Sequence, residues 1–124
     1  MNKTEWTDKI IENMRSAGTY ANHFIPVVET LADILAKRDE TQKMFEESGA
    51  QVVLEYTNRG GQTNLTQHPL VRLVNDLNRD ALSYWRDLGL TPAGLKRIND
   101  EAIKSKPAES ALAAALKKID EKLG

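Results

Sequence analysis

The chain has no cysteine. That excludes disulfides, thiol catalysis and cysteine-ligated zinc or iron–sulfur centres. Histidine is nearly as scarce: His23 and His68 are the only two, and their spacing matches no metal motif. No apolar run approaches the ~20 residues that a bilayer span needs, and the start Met1-Asn-Lys-Thr-Glu-Trp6 leads into no apolar signal segment. The expectation is an intracellular protein without a membrane partner. An excess of one charge is missing too, with 17 Lys+Arg against 18 Asp+Glu; a dedicated nucleic-acid coat usually shows a basic bias. Catalytic sets are also absent. Arg59-Gly-Gly-Gln62 lacks the spacing and the lysine of a phosphate loop, and neither a serine elbow nor a histidine motif occurs. No enzyme activity, metal or cofactor is expected.

What is present reads as one folded helical domain. Hydrophobic residues make up 40% and charged residues 28% of 124 positions, enough to hide roughly two thirds of the unfolded surface without staples. Trp6, Ile10, Met14 and Ala17 recur at helical spacing over about 4–17, and Gly18 is a natural stop. Val28, Leu31, Ala32, Leu35 and Phe45 give a second helix a face over about 24–48, with Pro26 tolerated in its first turn. Residues 51–66 change character. Gln51-Val-Val-Leu-Glu-Tyr56, the turn Thr57-Asn-Arg-Gly-Gly61 and Gln62-Thr-Asn-Leu-Thr66 predict a small hairpin or extended loop, to be packed on the helices or on a neighbouring subunit.

The third helix, about 69–88, carries the longest seam: Leu70, Leu73, Val74, Leu77, Ala81, Tyr84, Trp85 and Leu88. Gly89-Leu-Thr-Pro92 then spells a tight connection, with Thr91 as cap and Pro92 at the first position of a fourth helix over about 92–104, whose Leu95, Ile98 and Ala102 point inward. Ser105-Lys-Pro107 is read as a break. A last helix, about 108–123, has a narrow stripe of Leu112, Ala115, Leu116, Ile119 and Leu123, too short for a free-standing coiled coil. The division expected is a helical core, 1–104, and a C-terminal helix, 105–124, for oligomer or partner contact.

Charge is unevenly placed. Residues 1–48 hold six basic and nine acidic residues, while the remainder of the chain is weakly basic. Arg72, Arg79 and Arg86 recur every seven residues. Seven residues turn about 700°, so these guanidinium groups form one stripe. Arginine suits phosphate, and such a stripe fits a groove carrying nucleic acid. It equally fits a solvated face of ion pairs, which Asp76, between Arg72 and Arg79, favours. Lys96 and Arg97 would extend a basic surface, and Arg59 would add to it from the turn. The pairs Asp39-Glu40 and Glu46-Glu47 read as solvated helix face rather than metal ligands. His68, held extended before Pro69, reads as a helix entry rather than a phosphate contact.

From His68-Pro-Leu-Val-Arg-Leu-Val-Asn-Asp-Leu-Asn78 through Leu88-Gly-Leu-Thr-Pro92, the sequence resembles the small subunit of a tailed-phage terminase. Trp6 in the first helix, the long helix ending at Gly49 and the Gly60-Gly61 stretch match that family in order and rough spacing, so the resemblance covers about residues 5–100. Where family members often carry an arginine about three residues after the proline, this chain has Leu95, with Lys96 and Arg97 beside it. The resemblance implies a non-catalytic DNA-packaging protein of the host cytoplasm. It would bind double-stranded viral DNA, assemble as a homo-oligomeric ring and serve a large terminase subunit. Arg72, Arg79, Arg86, Lys96, Arg97 and Arg59 are the candidate DNA-binding residues. A helix-turn-helix regulator and a helical adaptor indifferent to DNA are the rival readings.

Overall fold

The computed structural model describes the backbone of residues 1–123 and the side chains of residues 1–104, Leu116, Lys118 and Ile119. Its elements are α1 (Lys3–Ala17), a short 3-10 turn (Asn22–Phe24), α2 (Ile25–Glu47), β1 (Val53–Thr57), β2 (Thr63–Gln67), α3 (Pro69–Asp87) and α4 (Pro92–Leu123).

Local chemistry accounts for the helix ends. α1 opens with a capping box: Asn2 Oδ1 accepts from the Glu5 amide at 2.8 Å, and Glu5 Oε1 accepts from the Asn2 amide at 3.3 Å. The first three helices end by the same device, a glycine in the left-handed region followed by a paired set of returning amides. Gly18 and Thr19 donate to Arg15 O and Met14 O; Gly49 and Ala50 to Glu46 O and Phe45 O; Gly89 and Leu90 to Arg86 O and Trp85 O. α3 opens at His68, whose Nδ1 accepts from the Leu70 amide at 3.1 Å. α4 opens at Thr91, whose Oγ1 accepts from the Gly94 amide at 3.1 Å, with Pro92 in the first position as expected.

The core lies among α1, α2 and α3. Ile10 and Met14 meet Val28, Leu31, Ala32 and Leu35 of α2, and Ala81 of α3 with Leu88 just past its end closes the other side. Trp6, Tyr84 and Trp85 pack half-buried against this cluster, as core residues rather than base-stacking ones. The α3 seam is not buried along its whole length. Its C-terminal part reaches the core, whereas Leu73 near the start is 45% exposed. α4 joins the body through its first turns. Leu95 and Ile98 are half-buried, and Ala102, expected inward, is exposed.

Gly94 sets how close α4 comes. A Cβ there would lie 2.1 Å from the Arg86 carbonyl oxygen. Only glycine admits that approach of one backbone to another.

One expectation changes. The backbone runs as one helix from Pro92 to Leu123, through the Ser105-Lys-Pro107 segment read as a break. Pro107 has no N–H and deprives the Ile103 carbonyl of its donor, a loss of about 3 kcal/mol in a helix interior. The Ala-, Glu- and Lys-rich sequence around it has the propensity to carry the helix on. Of the stripe read in the last segment, Leu116 and Ile119 are exposed; Leu112, Ala115 and Leu123 lie outside the described side chains.

The hairpin was expected to pack on the helices or on a neighbouring subunit. It forms at the place expected, antiparallel, with Leu54 opposite Thr66 and Tyr56 opposite Asn64. Its loop is organised by Asn58, whose Oδ1 accepts from the amides of Gly60 and Gln62, and by Gly61 at φ 78°. Among the described residues it does not pack on its own helices: nine of the ten strand residues are exposed, and only Leu54 is half-buried. Its base is tied to α3 by the His68 amide donating to Val52 O at 2.8 Å.

Candidate nucleic-acid interface

α3 is amphipathic, and burial of Ala81, Tyr84, Trp85 and Leu88 fixes which side faces solvent. Arg72, Arg79 and Arg86 are all on the exposed side. Arg79 Nη1 lies 3.5 Å from Asp76 Oδ1, both side chains well exposed, a pair worth a few tenths of a kcal/mol. Among the described residues no ion pair holds Arg72 or Arg86. Leu82 sits between Arg79 and Arg86 on the same face and is 48% exposed. One position round the helix, Asp80 and Asp87 line a shallow hollow with Ile34, Ser83 and Tyr84. The cationic stripe therefore runs beside an acidic one, and a single copy offers a narrow basic line rather than a broad patch.

The turn into α4 brings Arg97 to the end of α3. Because Gly94 abuts the Arg86 backbone, the first turns of α4 lie against the end of α3. Arg97 Nη2 reaches Asp87 Oδ1 at 3.9 Å, and Lys96 is exposed. Arg59 lies on a different element, between β1 and β2. It is exposed in the hairpin loop, at the end of two five-residue strands that reach about 17 Å from the base.

With five of the six candidate residues on one helix pair, comparison with known families supplies the rest. The model of the phage terminase small subunit matches residues 3–105. The chain belongs to the phage terminase small-subunit family. No curated protein and no solved structure matches it significantly. The match takes in α1 to α3, the hairpin and the start of α4, and so every candidate residue of this terminase small subunit.

Two features of the small subunit were not foreseen from its sequence. Asp39, read as solvated helix face, is the hub of the body. Its Oδ2 accepts from Trp6 Nε1 at 2.8 Å and from the amino group of Met1 at 3.0 Å. Its Oδ1 accepts from Arg38 Nη2 at 2.9 Å, while Arg38 Nη1 donates to Asn78 Oδ1 of α3 at 3.3 Å. Burial pushes the pKa of this carboxyl up; the hydrogen bonds from Trp6, the amino terminus and Arg38 outweigh it and hold the pKa below the ordinary carboxylate value. The clue in the sequence was Trp6, whose indole N–H needs a partner when its ring is packed inward. Among the described residues no cluster of three acids or histidines is placed to hold a metal.

His68 is the second. Besides capping α3, its Nε2 lies 3.3 Å from Ser48 Oγ, and its ring meets Phe45 edge-on at 5.2 Å. Ser48 Oγ donates onward to Phe45 O at 2.6 Å. With Nδ1 accepting and Ser48 already donating, the proton is assigned to Nε2. The residue locks the end of α2 to the start of α3 and is no free ligand for phosphate.

Proposed function

We propose that this protein binds double-stranded viral DNA and presents it to the large terminase subunit at the start of genome packaging, as a non-catalytic, homo-oligomeric ring in the host cytoplasm. The observation that carries the reading is the alignment of Arg72, Arg79 and Arg86 on the solvent side of α3, in a chain of the terminase small-subunit family. A near-neutral protomer with a narrow cationic line is a weak DNA binder alone. Repeated around a ring, the same line is presented many times to one duplex, and avidity supplies the affinity. Lys96 and Arg97 extend the line at one end. The segment 105–124, all but its first residue beyond the family match, is assigned to contact with the large subunit or between protomers.

Binding to duplex DNA, measured over a range of salt concentrations, tests the reading. Counterion release makes affinity fall with salt in proportion to the phosphates neutralised. Arg79→Glu is expected to weaken binding and to flatten that dependence, with the solution mass unchanged. Equal binding by the variant and the wild type would return the stripe to solvated ion pairs.

A further inference from the structure

We propose that His68 is a proton-operated latch. Neutral, it holds the end of α2, the base of the hairpin and the first turn of α3 together. Protonated, it releases the hairpin and that turn while the core of α1, α2 and α3 stays folded. Four contacts meet at this residue. Its Nδ1 accepts from the Leu70 amide at 3.1 Å, and its Nε2 lies 3.3 Å from Ser48 Oγ. Its ring stands edge-on to Phe45, and its own amide donates to Val52 O at 2.8 Å. His68 alone separates β2 from α3, so a movement of its backbone is felt by both.

The kind of cap makes the latch. α1 and α4 are capped by side-chain oxygens, those of Asn2 and Thr91, which keep their lone pairs across the range where histidine titrates. α3 is capped by an imidazole nitrogen. Nε2 already carries the proton of the neutral ring, so the next proton goes to Nδ1, and the imidazolium has no acceptor left. Two N–H groups, from Nδ1 and Leu70, then face each other. To part them, either the ring leaves Phe45 and Ser48 or the first turn of α3 leaves the ring.

Nothing that touches the ring balances the new charge. Its side-chain neighbours, Ser48 and Phe45, are uncharged, and among the described residues no ion pair includes His68. On α2, Glu47 lies 4.0 Å from Lys43, and Glu46 accepts from Gln42. Glu55 on β1 and Arg72, one turn into α3, are exposed. The end of α2 favours a cation and the start of α3 opposes one. These two fields oppose each other, and the lost acceptor decides.

The test is hydrogen exchange read by mass spectrometry at about pH 8 and about pH 5, either side of the range where histidine titrates, with each rate divided by the intrinsic rate at that pH. The wild type is compared with His68→Asn and His68→Ser, which keep a capping oxygen and do not titrate, and with His23→Gln. In the wild type, protection of residues 52–72 is expected to fall about fivefold on acidification, the loss of one helix cap, while residues 28–35 keep theirs. His23→Gln should match the wild type, and both His68 variants should hold their protection. An equal fall in the His68 variants, no fall in the wild type or in His23→Gln, or an equal fall in residues 28–35 would overturn the latch. Loss of helical circular dichroism by both His68 variants at the higher pH would overturn it as well, because an oxygen would then not replace the imidazole as cap.

Discussion

The helical body and the hairpin were built from equally clear local signals, yet they relate to solvent in opposite ways. In the body, Val28, Leu31, Ala32 and Leu35 of α2 are all buried. In the hairpin, Val53, Tyr56 and Leu65 are as apolar and stand in water. The difference teaches that side-chain character selects an element, while burial depends on whether another element arrives to cover it. Three helices can cover one another. Among the described residues, a two-stranded sheet joined to α3 at its base has no helix lying over it.

The largest test of this contrast is Leu31→Ala. Leu31 is fully buried between α1 and α3, and its truncation should cost about 2–5 kcal/mol in denaturant unfolding followed by helical circular dichroism. Gly94→Ala comes next. The new methyl meets the Arg86 carbonyl, and relieving the overlap should cost about 1–3 kcal/mol and move α4 away from α3. A variant as stable as the wild type would show that the approach of the two helices relaxes freely.

Asp39→Ala should cost about 1–3 kcal/mol by leaving the Trp6 indole N–H and Arg38 without their acceptor. The sign of its pH dependence follows from the direction of the shift. A carboxyl whose folded pKa is depressed stabilises the fold fully above its ordinary value of ~3.9, and that contribution fades as pH falls through the lower folded value. The stability curves of variant and wild type should therefore run parallel at neutral pH and converge at the acid end. Parallel curves throughout would remove Asp39 from its place as hub.

The smallest expected effect is the most direct comparison of the two regions. Gly61→Ala strains a residue held at φ 78° and should loosen the hairpin by about 1 kcal/mol. Hydrogen exchange of the strand amides should quicken, while the helical melt of the dissociated subunit stays within about 0.5 kcal/mol of wild type. A matching loss in the helices would mean that body and hairpin are coupled within one chain.

Much of this was legible beforehand. Gly18, Gly49 and Gly89 closed their helices where expected, Thr91-Pro92 opened α4, and Asn58 to Gly61 turned the hairpin. Leu95, beside Lys96 and Arg97, was less informative than the arginine spacing at 72, 79 and 86. That spacing needed only the helical repeat to become a stripe, although Leu82 within it and the acidic residues beside it gained meaning only once the buried side of α3 was known. Pro107 was misread because a single residue was weighed without the helix-forming sequence on either side. Asp39 was misread because its partners, Trp6 and the amino group of Met1, are more than thirty positions away.

The division has a physical basis. Caps, turns and helix spans depend on interactions within about five residues, so the chain alone placed most elements of this protein to within a residue or two, with the 3-10 turn before α2 and the length of α4 as the exceptions. Which half of the α3 seam is covered, how closely Gly94 brings α4 to Arg86, which carboxylate anchors the body and that the hairpin stands free all depend on groups distant in sequence. Those features were decided only when the helices packed, because burial belongs to pairs of surfaces and not to the residues of one.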